Sequence, residues 1–397
     1  MRILVVNKYW YIRGGAERVA FDTVEILKKH RHEVEIFGMH DPKNTETRDW
    51  FSSYIDYDTM KGWKKISAAF KFIYNKEAAR KFEAVILNFK PDIIHFHNIY
   101  HQLSFSLIGV AQKLKIPTVM TLHDYKIISP NYALYDHGAV CERSIGGKWY
   151  KTLLHNCMES WPRSLLATIE AYVVSWCGYR QAITRFIAPS RFLKSMCVRG
   201  GISENKIDLI PNPIDVSSDH EYKKKKYIVY VGRLSQEKGI EIMLEAAKLT
   251  ADIPYVLVGE GTLREVIESK IEKDKIQNVT LVGYQKGEDL RTLIGEARLA
   301  VLPSVCYENN PLSVLEGYVL KTLSIGSRIG GIPELIPEDL LASPGNAGEL
   351  AAVINKWYNT TEVARKKRIL ELHKSAIKEH SFETYYERIL KTYQSII

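Results

Sequence analysis

The sequence predicts an α/β protein of two facing, doubly wound parallel-sheet domains with an inter-domain cleft. A chain of 397 residues is too long for one ordinary hydrophobic core. Short apolar runs alternate with amphipathic helical patterns from end to end, which is typical of parallel strands joined by helical crossovers. The alternation occurs in two series, and each series predicts one domain.

The predicted strands are short and apolar. In the first series they are Ile3–Asn7, Glu33–Phe37, Ile93–His97, Thr118–His123 and Phe186–Ala188. In the second series they are Tyr227–Val231, Tyr255–Val258, Val279–Val282, Leu299–Pro303 and Leu323–Ile325. Amphipathic helices are predicted between them, for example over Ala16–His30 and Ile240–Thr250. Because ligands of such sheets bind beyond the carboxyl ends of the strands, we expect functional residues there.

The domain boundary is predicted within residues 211–226. The Pro-Asn-Pro sequence at 211–213 breaks the chain, and Lys223–Lys226 is interpreted as a solvated charge run. We therefore predict an N-terminal, acceptor-binding domain over residues 1–212 and a C-terminal, donor-binding domain over residues 213–379. The amphipathic stretch at residues 380–397 could form a helix that packs back onto the first domain.

Composition restricts the class of protein. The net charge of +9 favours polyanionic partners such as anionic lipid, nucleic acid or phosphorylated substrates. No apolar stretch reaches the roughly 18 residues of a membrane span, so we expect a cytoplasmic protein, either free or attached to a membrane face. The five cysteines argue against a disulfide framework. Cys141 and Cys157 could pair or join a metal site, but buried free thiols are favoured because no C-x-x-C spacing occurs.

Two cations follow the first strand of the second series. Arg233 and Lys238 stand between Gly232 and Gly239, in a loop that leads from a strand into a helix. Arginine can grip two phosphate oxygens while lysine supplies a mobile point charge, and a diphosphate leaving group requires such charge. The loop therefore predicts a diphosphate site, with ordinary surface cations as the alternative.

A helix N-terminus follows the strand Leu299–Pro303. Asn310 is predicted to cap this helix and Pro311 to occupy its first position. The free amides of Leu312 and Ser313 could then bind phosphate.

Two carboxylates flank that helix N-terminus. Glu308 precedes the helix and Glu316 lies inside it, so one could hold the hydroxyls of a hexose and the other those of a ribose. Two solvent-facing acids on a capped helix are the alternative. Tyr284 could stack near a nucleobase. Gly259-Glu260-Gly261 is only a partial dinucleotide fingerprint, so NAD binding is poorly supported.

The first domain offers glycines and acids at a strand end. Gly14, Gly15 and Glu17 follow the first strand and open a helix, and the two glycines would let backbone approach a phosphate closely. A double glycine alone is a weak signal, because it is often only a turn.

Histidines end two further strands of this domain. His123, followed by Asp124, could hydrogen-bond a sugar hydroxyl or the charge that develops near the anomeric carbon. His97 and Asn98 are assigned to the acceptor side together with Asp124 and Glu17. His95 and His97 are expected to point to opposite faces of their strand, with a structural role as the alternative. No metal-ligand spacing such as H-x-x-x-H occurs, so we expect no metal cofactor.

The segment Lys61–Phe82 is basic and amphipathic. It carries seven Lys or Arg against one acid, and Trp63, Ile66, Phe70 and Ile73 fall on one helical face. Such a helix can lie on an anionic membrane surface. An ordinary helix packed on its domain is the alternative.

The ordered motifs resemble those of a known family. They are Gly14-Gly15-x-Glu17, Ala188-Pro189-Ser190, Ile210-Pro211-Asn212, Val231-Gly232-Arg233 with Lys238-Gly239, Val258-Gly259-Glu260-Gly261, and Glu308 and Glu316 with seven residues between them. With them the chain resembles, over nearly its whole length, the retaining glycosyltransferases of family GT4. Members have the GT-B architecture of two facing Rossmann-like domains, and their last helix crosses back onto the first domain.

The resemblance implies roles for individual residues. Arg233 and Lys238 would bind the donor diphosphate, Glu308 the donor sugar and Glu316 the ribose. Gly15 would lie against the phosphates and His123 near the reacting sugar. Members typically need no metal, and they are thought to transfer the sugar on one face through an oxocarbenium-like state, with the diphosphate helping to deprotonate the acceptor. Asn309-Asn310-Pro311 replaces a common glycine and phenylalanine, and Gly317 a common alanine, so the donor sugar is the least determined feature.

We therefore predict a hexosyltransferase that uses a UDP- or GDP-sugar and acts on a lipid-linked or growing surface polysaccharide, such as capsule or O-antigen. It would work at the inner face of the cytoplasmic membrane. A non-hydrolysing nucleotide-sugar epimerase of the same architecture is the main alternative. A nucleic-acid-binding protein is disfavoured, because the basic residues cluster in one amphipathic stretch and one linker.

Overall fold

The computed structural model describes residues 1–57, 69–217 and 220–397. In it the chain forms two compact units. Unit 1 comprises Met1–His137, Cys141–Pro213 and Phe382–Ile397, and unit 2 comprises Gly138–Val140 and Ile214–Ser381. The boundary between the long segments follows Pro213, where the sequence analysis placed it after residue 212.

Unit 1 is built on a parallel sheet. Its strands are β1 (Arg2–Val6), β2 (Glu33–Phe37), β3 (Ile93–Phe96), β4 (Thr118–Thr121), β7 (Arg185–Ala188) and β8 (Ile207–Leu209). Two short strands, β5 (Tyr135–Asp136) and β6 (Ala139–Val140), come between β4 and β7 in the chain. The strand order is β2-β1-β3-β4-β7-β8, and all pairs are parallel. The winding direction reverses between β1 and β3, which makes this a doubly wound sheet, as predicted.

Helices connect these strands. In chain order they are α1 (Gly15–Lys29), α2 (Lys76–Phe89), α3 (Ser106–Lys113), α4 (Tyr150–Leu154), α5 (Trp161–Trp176), α6 (Tyr179–Ala182) and α7 (Arg191–Arg199). Among the described residues, no helix combines the length and low charge required to cross a bilayer.

Unit 2 repeats the arrangement. Its strands are β9 (Ile228–Val231), β10 (Tyr255–Val258), β11 (Val279–Gly283), β12 (Leu299–Leu302), β13 (Leu323–Ser327) and β14 (Leu341–Ala342), in the order β11-β10-β9-β12-β13-β14. Its helices are α8 (Ile240–Leu249), α9 (Arg264–Lys273), α10 (Gly287–Gly295), α11 (Leu312–Val319), α12 (Ala347–Asn359) and α13 (Glu362–His380). Strands β9 and β12 are neighbours at the switch in winding direction. Both predicted series of strands are confirmed.

The lysine run before β9 is exposed at all four positions, as predicted, and two of its amines also bind neighbouring groups. The amine of Lys224 donates hydrogen bonds to the carbonyl oxygen of Gly295 (2.5 Å) and to Oγ1 of Thr322 (2.6 Å), and Lys225 pairs with Glu296 at 2.5 Å. Gly295 is the last residue of α10, where carbonyl groups lack helical partners. Lys224 satisfies one of them.

The last helix, α14 (Phe382–Gln394), belongs to unit 1. The hydroxyl of Tyr385 lies 3.0 Å from Oγ1 of Thr23 in α1, and that of Tyr393 lies 2.6 Å from Nδ1 of His95 in β3. Both tyrosine rings are fully buried. These hydrogen bonds satisfy the buried hydroxyls, so α14 completes the core of unit 1.

Acid should weaken the contact of α14 with the sheet. Burial lowers the pKa of His95 to about 3, while the unfolded chain takes up this proton near pH 6.5. Protonation therefore favours the unfolded state as pH falls below 6.5. A glutamine side chain at this position cannot titrate, so the stability deficit of His95→Gln should shrink by about 2 kcal/mol between pH 7 and pH 5, as measured by urea unfolding. Tyr393→Phe removes the same hydrogen bond but no titrating imidazole, and its deficit should not change with pH. A pH-independent deficit for His95→Gln would contradict the argument.

Candidate active site

The site in unit 2 lies where β9 and β12 end. These strands pair only at Leu299 with Ile228 and at Ala300 with Val229, before their carboxyl ends. The loop after β9 carries residues 233–238, and the loop after β12 carries residues 304–308. A ligand of a doubly wound sheet binds at this position.

Lys238 and Glu308 form an ion pair at this edge. Nζ of Lys238 lies 2.5 Å from Oε1 of Glu308, and Oγ of Ser304 donates to the same oxygen at 2.7 Å. The side chains are 19% and 14% exposed. Burial opposes both charges, but the charge and hydrogen bond of Lys238, with the bond from Ser304, hold the pKa of Glu308 below its usual range. The charge of Glu308 likewise outweighs burial and raises the pKa of Lys238. Both groups are therefore charged at neutral pH.

Glycines allow the two loops to come together. Gly239 has φ +69°, and a Cβ there would lie 1.9 Å from the carbonyl oxygen of Pro303. Gly330 has φ +60°, and its Cβ would lie 2.5 Å from the carbonyl oxygen of Glu308, which also accepts from the amide of Gly331 at 2.7 Å. Only glycine fits both the dihedral angle and the contact. These backbone contacts fix Glu308 beside Lys238.

Arg233 remains available for an anion. Its side chain is 70% exposed, and its guanidinium lies 3.4 Å from a carboxylate oxygen of Glu237. Its charge contributes to lowering the pKa of Glu308, after Lys238 and Ser304. The buried Oγ of Ser235, in the same loop, has no hydrogen-bond partner among the described residues. The loop thus offers an exposed cation and an unsatisfied hydroxyl.

Helix α11 begins one residue later than expected. Its N-cap is Pro311, whose φ of −67° and ψ of 117° are extended and whose carbonyl accepts from the amide of Val314 at 3.2 Å. The prediction that Asn310 caps the helix is wrong, because proline itself takes the flanking geometry, and Asn310 is buried. Leu312 and Ser313 are the first two helical residues, so their amides are among those without a helical acceptor.

Two other residues, Glu316 and Tyr284, were predicted to bind the donor. Glu316 lies in the second turn of α11 and is partly buried, and Tyr284 follows the edge strand β11 and is 61% exposed. Their roles toward a ligand stay predictions.

A second polar cluster lies at the strand ends of unit 1. Nδ1 of His97 is 3.0 Å from Nε2 of His123, and the rings of His95 and His97 stack with centroids 4.5 Å apart. The prediction that His95 and His97 point to opposite faces is wrong, because residues two apart in extended chain return to the same face. Burial lowers the pKa of His123 to about 4 and that of His97 well below 6.5. At neutral pH these imidazoles are therefore uncharged and suited to hydrogen bonding.

Unsatisfied polar atoms make this cluster a candidate ligand site. Nε2 of His97 and Oδ1 of Asn98 are buried and have no hydrogen-bond partner among the described residues. Burial raises the pKa of Asp124 to about 6 and lowers that of Lys8 to about 8, although each charge favours the other. Buried polar atoms without partners are rare in folded proteins, so a bound polar molecule would explain them.

Gly14 and Gly15 lie at the start of α1, and the backbone conformation of Gly14 does not require a glycine. Gly14 has φ −177°, which any residue adopts, and its Cβ position meets only Oε2 of Glu17, at 3.9 Å. Gly15 is the first residue of α1, and Glu17 is buried, which raises the pKa of its carboxyl. The space beside Gly14 is thus open to a ligand rather than filled by protein.

Two family matches cover almost the whole chain. Residues 214–370 match the family described as Glycosyl transferases group 1, and residues 13–218, more than half of the chain, match Glycosyltransferase Family 4. The chain belongs to glycosyltransferase family 4. The resemblance predicted from the motifs is confirmed, and the protein is a glycosyltransferase.

Two relatives of this glycosyltransferase are bacterial proteins of similar sequence. It is 26% identical over 353 residues to an uncharacterized 42.6 kDa protein in the cps region of Klebsiella pneumoniae, covering 84% of this chain and 87% of that one. It is 25% identical to the amylovoran biosynthesis glycosyltransferase AmsK of Erwinia amylovora, over 40% of this chain and 42% of the relative.

Solved structures confirm the GT-B fold of the glycosyltransferase. HepE of Anabaena, solved in complex with UDP and glucose, aligns with a TM-score of 0.69 and 17% identity, covering 100% of both chains. The sucrose-phosphate synthase of Thermosynechococcus elongatus aligns with a TM-score of 0.70 and 18% identity, covering 99% of this chain and 98% of the other. At such low identity the likeness concerns the fold alone.

Several residues of the two polar clusters of the glycosyltransferase were not predicted from the sequence. Ser304 and the Gly330-Gly331 pair hold Glu308 in position, and Lys8 interacts with Asp124. Lys8 directly follows Asn7, the last residue of a predicted strand, so the strand-end rule could have found it. The buried pair of Lys126 and Glu170, 2.5 Å apart, gave no signal because it joins a loop to a helix interior.

Proposed function

We propose that this glycosyltransferase moves a sugar from a UDP- or GDP-sugar to a lipid-linked or growing cell-surface polysaccharide, with retention at the anomeric carbon. The observation that carries the proposal is the charged pair of Lys238 and Glu308 at the switch point of unit 2. Lys238 and the exposed Arg233 supply positive charge for a diphosphate, and Glu308 accepts hydrogen bonds from sugar hydroxyls.

The chemistry follows from these groups. The bond between the anomeric carbon and the diphosphate oxygen breaks, and the acceptor oxygen bonds to the same face of the sugar. The departing diphosphate takes the acceptor proton. Lys238, Arg233 and the amides of Leu312 and Ser313 stabilise its growing charge, while Glu316 holds the ribose and Tyr284 stacks on the base. This scheme needs no metal, so added Mg²⁺ or Mn²⁺ should leave the rate unchanged.

The acceptor belongs to the polar cluster of unit 1. Uncharged His123 and His97 exchange hydrogen bonds with hydroxyl groups, and the unsatisfied Oδ1 of Asn98 accepts another. Asp124, whose pKa is about 6, and Glu17 accept further hydrogen bonds from hydroxyl groups. A polyhydroxylated acceptor suits a cluster of this composition.

The relatives support this substrate class. AmsK is named for amylovoran biosynthesis, the Klebsiella relative lies in a cps region, and HepE was solved with UDP-glucose. A polysaccharide acceptor and a UDP-sugar donor are therefore the first to test.

A thermal-shift panel tests the donor. One of the UDP-, GDP- or ADP-sugars should raise the melting temperature of the wild type, because a ligand of the folded state stabilises it. Lys238→Ala should lose this shift. No shift with any of the three donors would contradict the proposal. Incubation with the donor alone tests the epimerase alternative, because an epimerase would convert the sugar without an acceptor.

We further propose that the protein is peripheral on the inner face of the cytoplasmic membrane. Residues 61–68 of the predicted membrane segment, Lys61–Phe82, lie outside the described residues. In its described end, Phe70 is 72% exposed, whereas Phe82 is fully buried in α2, which Asn75 caps. Lys71 and Lys81 pair with Glu77. Contact of this segment with a membrane stays a prediction.

Helix α5 offers a better membrane surface. Trp161, Leu165, Ile169 and Trp176 are exposed, Trp176 to 83%, and their spacing places them within one side of the helix. Exposed cations stand nearby in the sequence at Lys148 and Arg163. An apolar stripe with tryptophan at both ends and cations beside it fits the interface of an anionic bilayer.

Vesicle sedimentation tests this surface. The wild type should bind vesicles that contain phosphatidylglycerol. The vesicle affinity of a double variant with Trp161→Ser and Trp176→Ser should be at least about tenfold lower. Leu249→Ser removes an exposed apolar side chain of unit 2 and should bind like the wild type. Equal binding of the double variant would show that α5 is not the contact.

A further inference from the structure

Three buried side chains in unit 1, none of them among the predicted catalytic residues, converge on one point. Asp136 in β5, Cys141 and Cys157 are each 3% exposed. One ligand atom from each, a carboxylate oxygen and two sulfurs, lies within 4.8 Å of the other two. The residues are separated in sequence, so the fold assembles the group.

The spacing of the two sulfurs fits one shared metal ion. They lie 3.9 Å apart. Two thiolates bound to one tetrahedral zinc, each at about 2.3 Å, are separated by about 3.8 Å. A disulfide would require about 2.05 Å. The separation thus matches shared coordination without rearrangement of the backbone.

Two basic side chains lie beside the three ligands, as expected if the ligands carry negative charge when metal binds. The guanidinium of Arg143 lies 3.4 Å from a carboxylate oxygen of Asp136 and 3.5 Å from the sulfur of Cys141. His137 places Nδ1 3.9 Å from the same carboxylate. Half of the Arg143 side chain is exposed, so it can turn to solvent when a dication takes its place. His137 is also exposed and does not belong to the group of converging ligand atoms, which leaves the fourth position to water.

Backbone hydrogen bonds hold the three ligands in place. The amide of Cys141 donates to the carbonyl of Leu134 at 2.7 Å, and that of Cys157 donates to the carbonyl of Thr152 at 3.0 Å. The amide group of Asn131 donates to the carbonyls of Tyr135 and Cys157, at 3.0 and 3.2 Å. Asn131 therefore ties the segment of Asp136 to that of Cys157.

The chain around the group is irregular and conformationally costly. Leu134, His137, Asn156 and Glu159 all have positive φ, between 47° and 53°. Such residues are individually unfavourable and persist where other contacts determine the backbone. A bound ion that joins three points of this segment would supply that constraint.

We propose that Asp136, Cys141 and Cys157 form a structural zinc site. Two sulfur donors select zinc over the hard cations Mg²⁺ and Ca²⁺, which prefer oxygen ligands. Binding releases the two thiol protons and leaves Zn²⁺ bound to two thiolates and one carboxylate, with water as the fourth ligand. The site is structural and takes no part in sugar transfer.

Zinc binds cysteine as the thiolate, so binding competes with protons and the affinity of the site should fall as the pH is lowered.

Metal content of the full-length protein is the primary test. The protein is purified without a metal-affinity tag, and zinc is measured by mass spectrometry. We expect about one zinc per chain in the wild type, less than about a tenth of that in Cys157→Ser, and an unchanged content in Cys197→Ser, which alters a buried thiol outside the group. Wild-type levels of zinc in Cys157→Ser, or no zinc in the wild type even after incubation with the metal, would overturn the proposal.

Cobalt substitution keeps the test independent of variant folding. Co²⁺ added to metal-free wild type should give the sulfur-to-cobalt absorption of a thiolate site, and Zn²⁺ should abolish it. Zinc should also protect Cys141 and Cys157 from alkylation. A protein two mass units lighter, with both residues unreactive until reduced, would show a disulfide instead and overturn the proposal, as would thiols whose reactivity zinc does not change.

Discussion

Replacing Lys238 with alanine should lower kcat/KM for sugar transfer by about 10²- to 10³-fold. The amine is the cation closest to Glu308, and no neighbour can replace it, because the guanidinium of Arg233 lies on an exposed side chain beside Glu237. Glu308 keeps the hydrogen bond from Ser304 and remains partly accessible, so the chain should still fold. Steady-state kinetics and far-UV circular dichroism of the variant measure the two effects separately.

Lys224 provides the matched control. It is another lysine of unit 2 whose amine makes short hydrogen bonds, but its partners are Gly295 and Thr322 rather than an acid. Lys224→Ala should therefore lose stability while kcat/KM stays near the wild-type value. Normal turnover in Lys238→Ala, or an equal loss of turnover in both variants, would refute the role given to Lys238.

Replacing Gly239 with alanine should damage both stability and activity. The residue has φ +69°, which costs an alanine about 1–2 kcal/mol. In addition its Cβ would lie 1.9 Å from the carbonyl oxygen of Pro303, so the loops that carry Lys238 and Glu308 must separate. We expect a further loss of about 1–3 kcal/mol from overpacking and a fall of about 10²-fold in kcat/KM from misplacement. Urea unfolding and kinetics measure the two losses.

Gly345→Ala separates the dihedral cost from the contact. Gly345 has φ +79°, but no atom lies within 4 Å of its Cβ position. This variant should lose only the roughly 1–2 kcal/mol of the left-handed conformation and should keep full activity. If the Gly239 and Gly345 variants behave alike, the contact with Pro303 does not position the site.

The sequence was informative about local pattern and about strand ends. All ten predicted strands occur, within one or two residues, because an apolar run flanked by turn residues is a local property. Strands β5, β6, β8 and β14 were missed because two or three residues are too few to show a pattern. Lys238 and Glu308 were predicted to act together although 70 positions separate them, because both follow strands of one parallel sheet.

The remaining features depend on strand order, which no local pattern contains. Ser304 contacts Glu308 across one loop, but Gly330 reaches it only because β13 lies beside β12. The close approach of the sulfurs of Cys141 and Cys157 likewise requires an irregular segment to fold back on itself. The error at His95 and His97 was different in kind: the two-residue period of a strand was applied wrongly to a correctly predicted strand.

The membership of α14 in unit 1 affects the order in which the protein is made. Unit 1 includes Met1–His137, yet Tyr385 and Tyr393 of its core are synthesised after Ile214–Ser381 of unit 2. Ile214–Ser381 can therefore finish folding first, against the usual order of synthesis. Until α14 is synthesised, Thr23 and His95 lack their hydrogen bonds to Tyr385 and Tyr393, so a nascent chain, or one truncated before residue 382, should depend on chaperones.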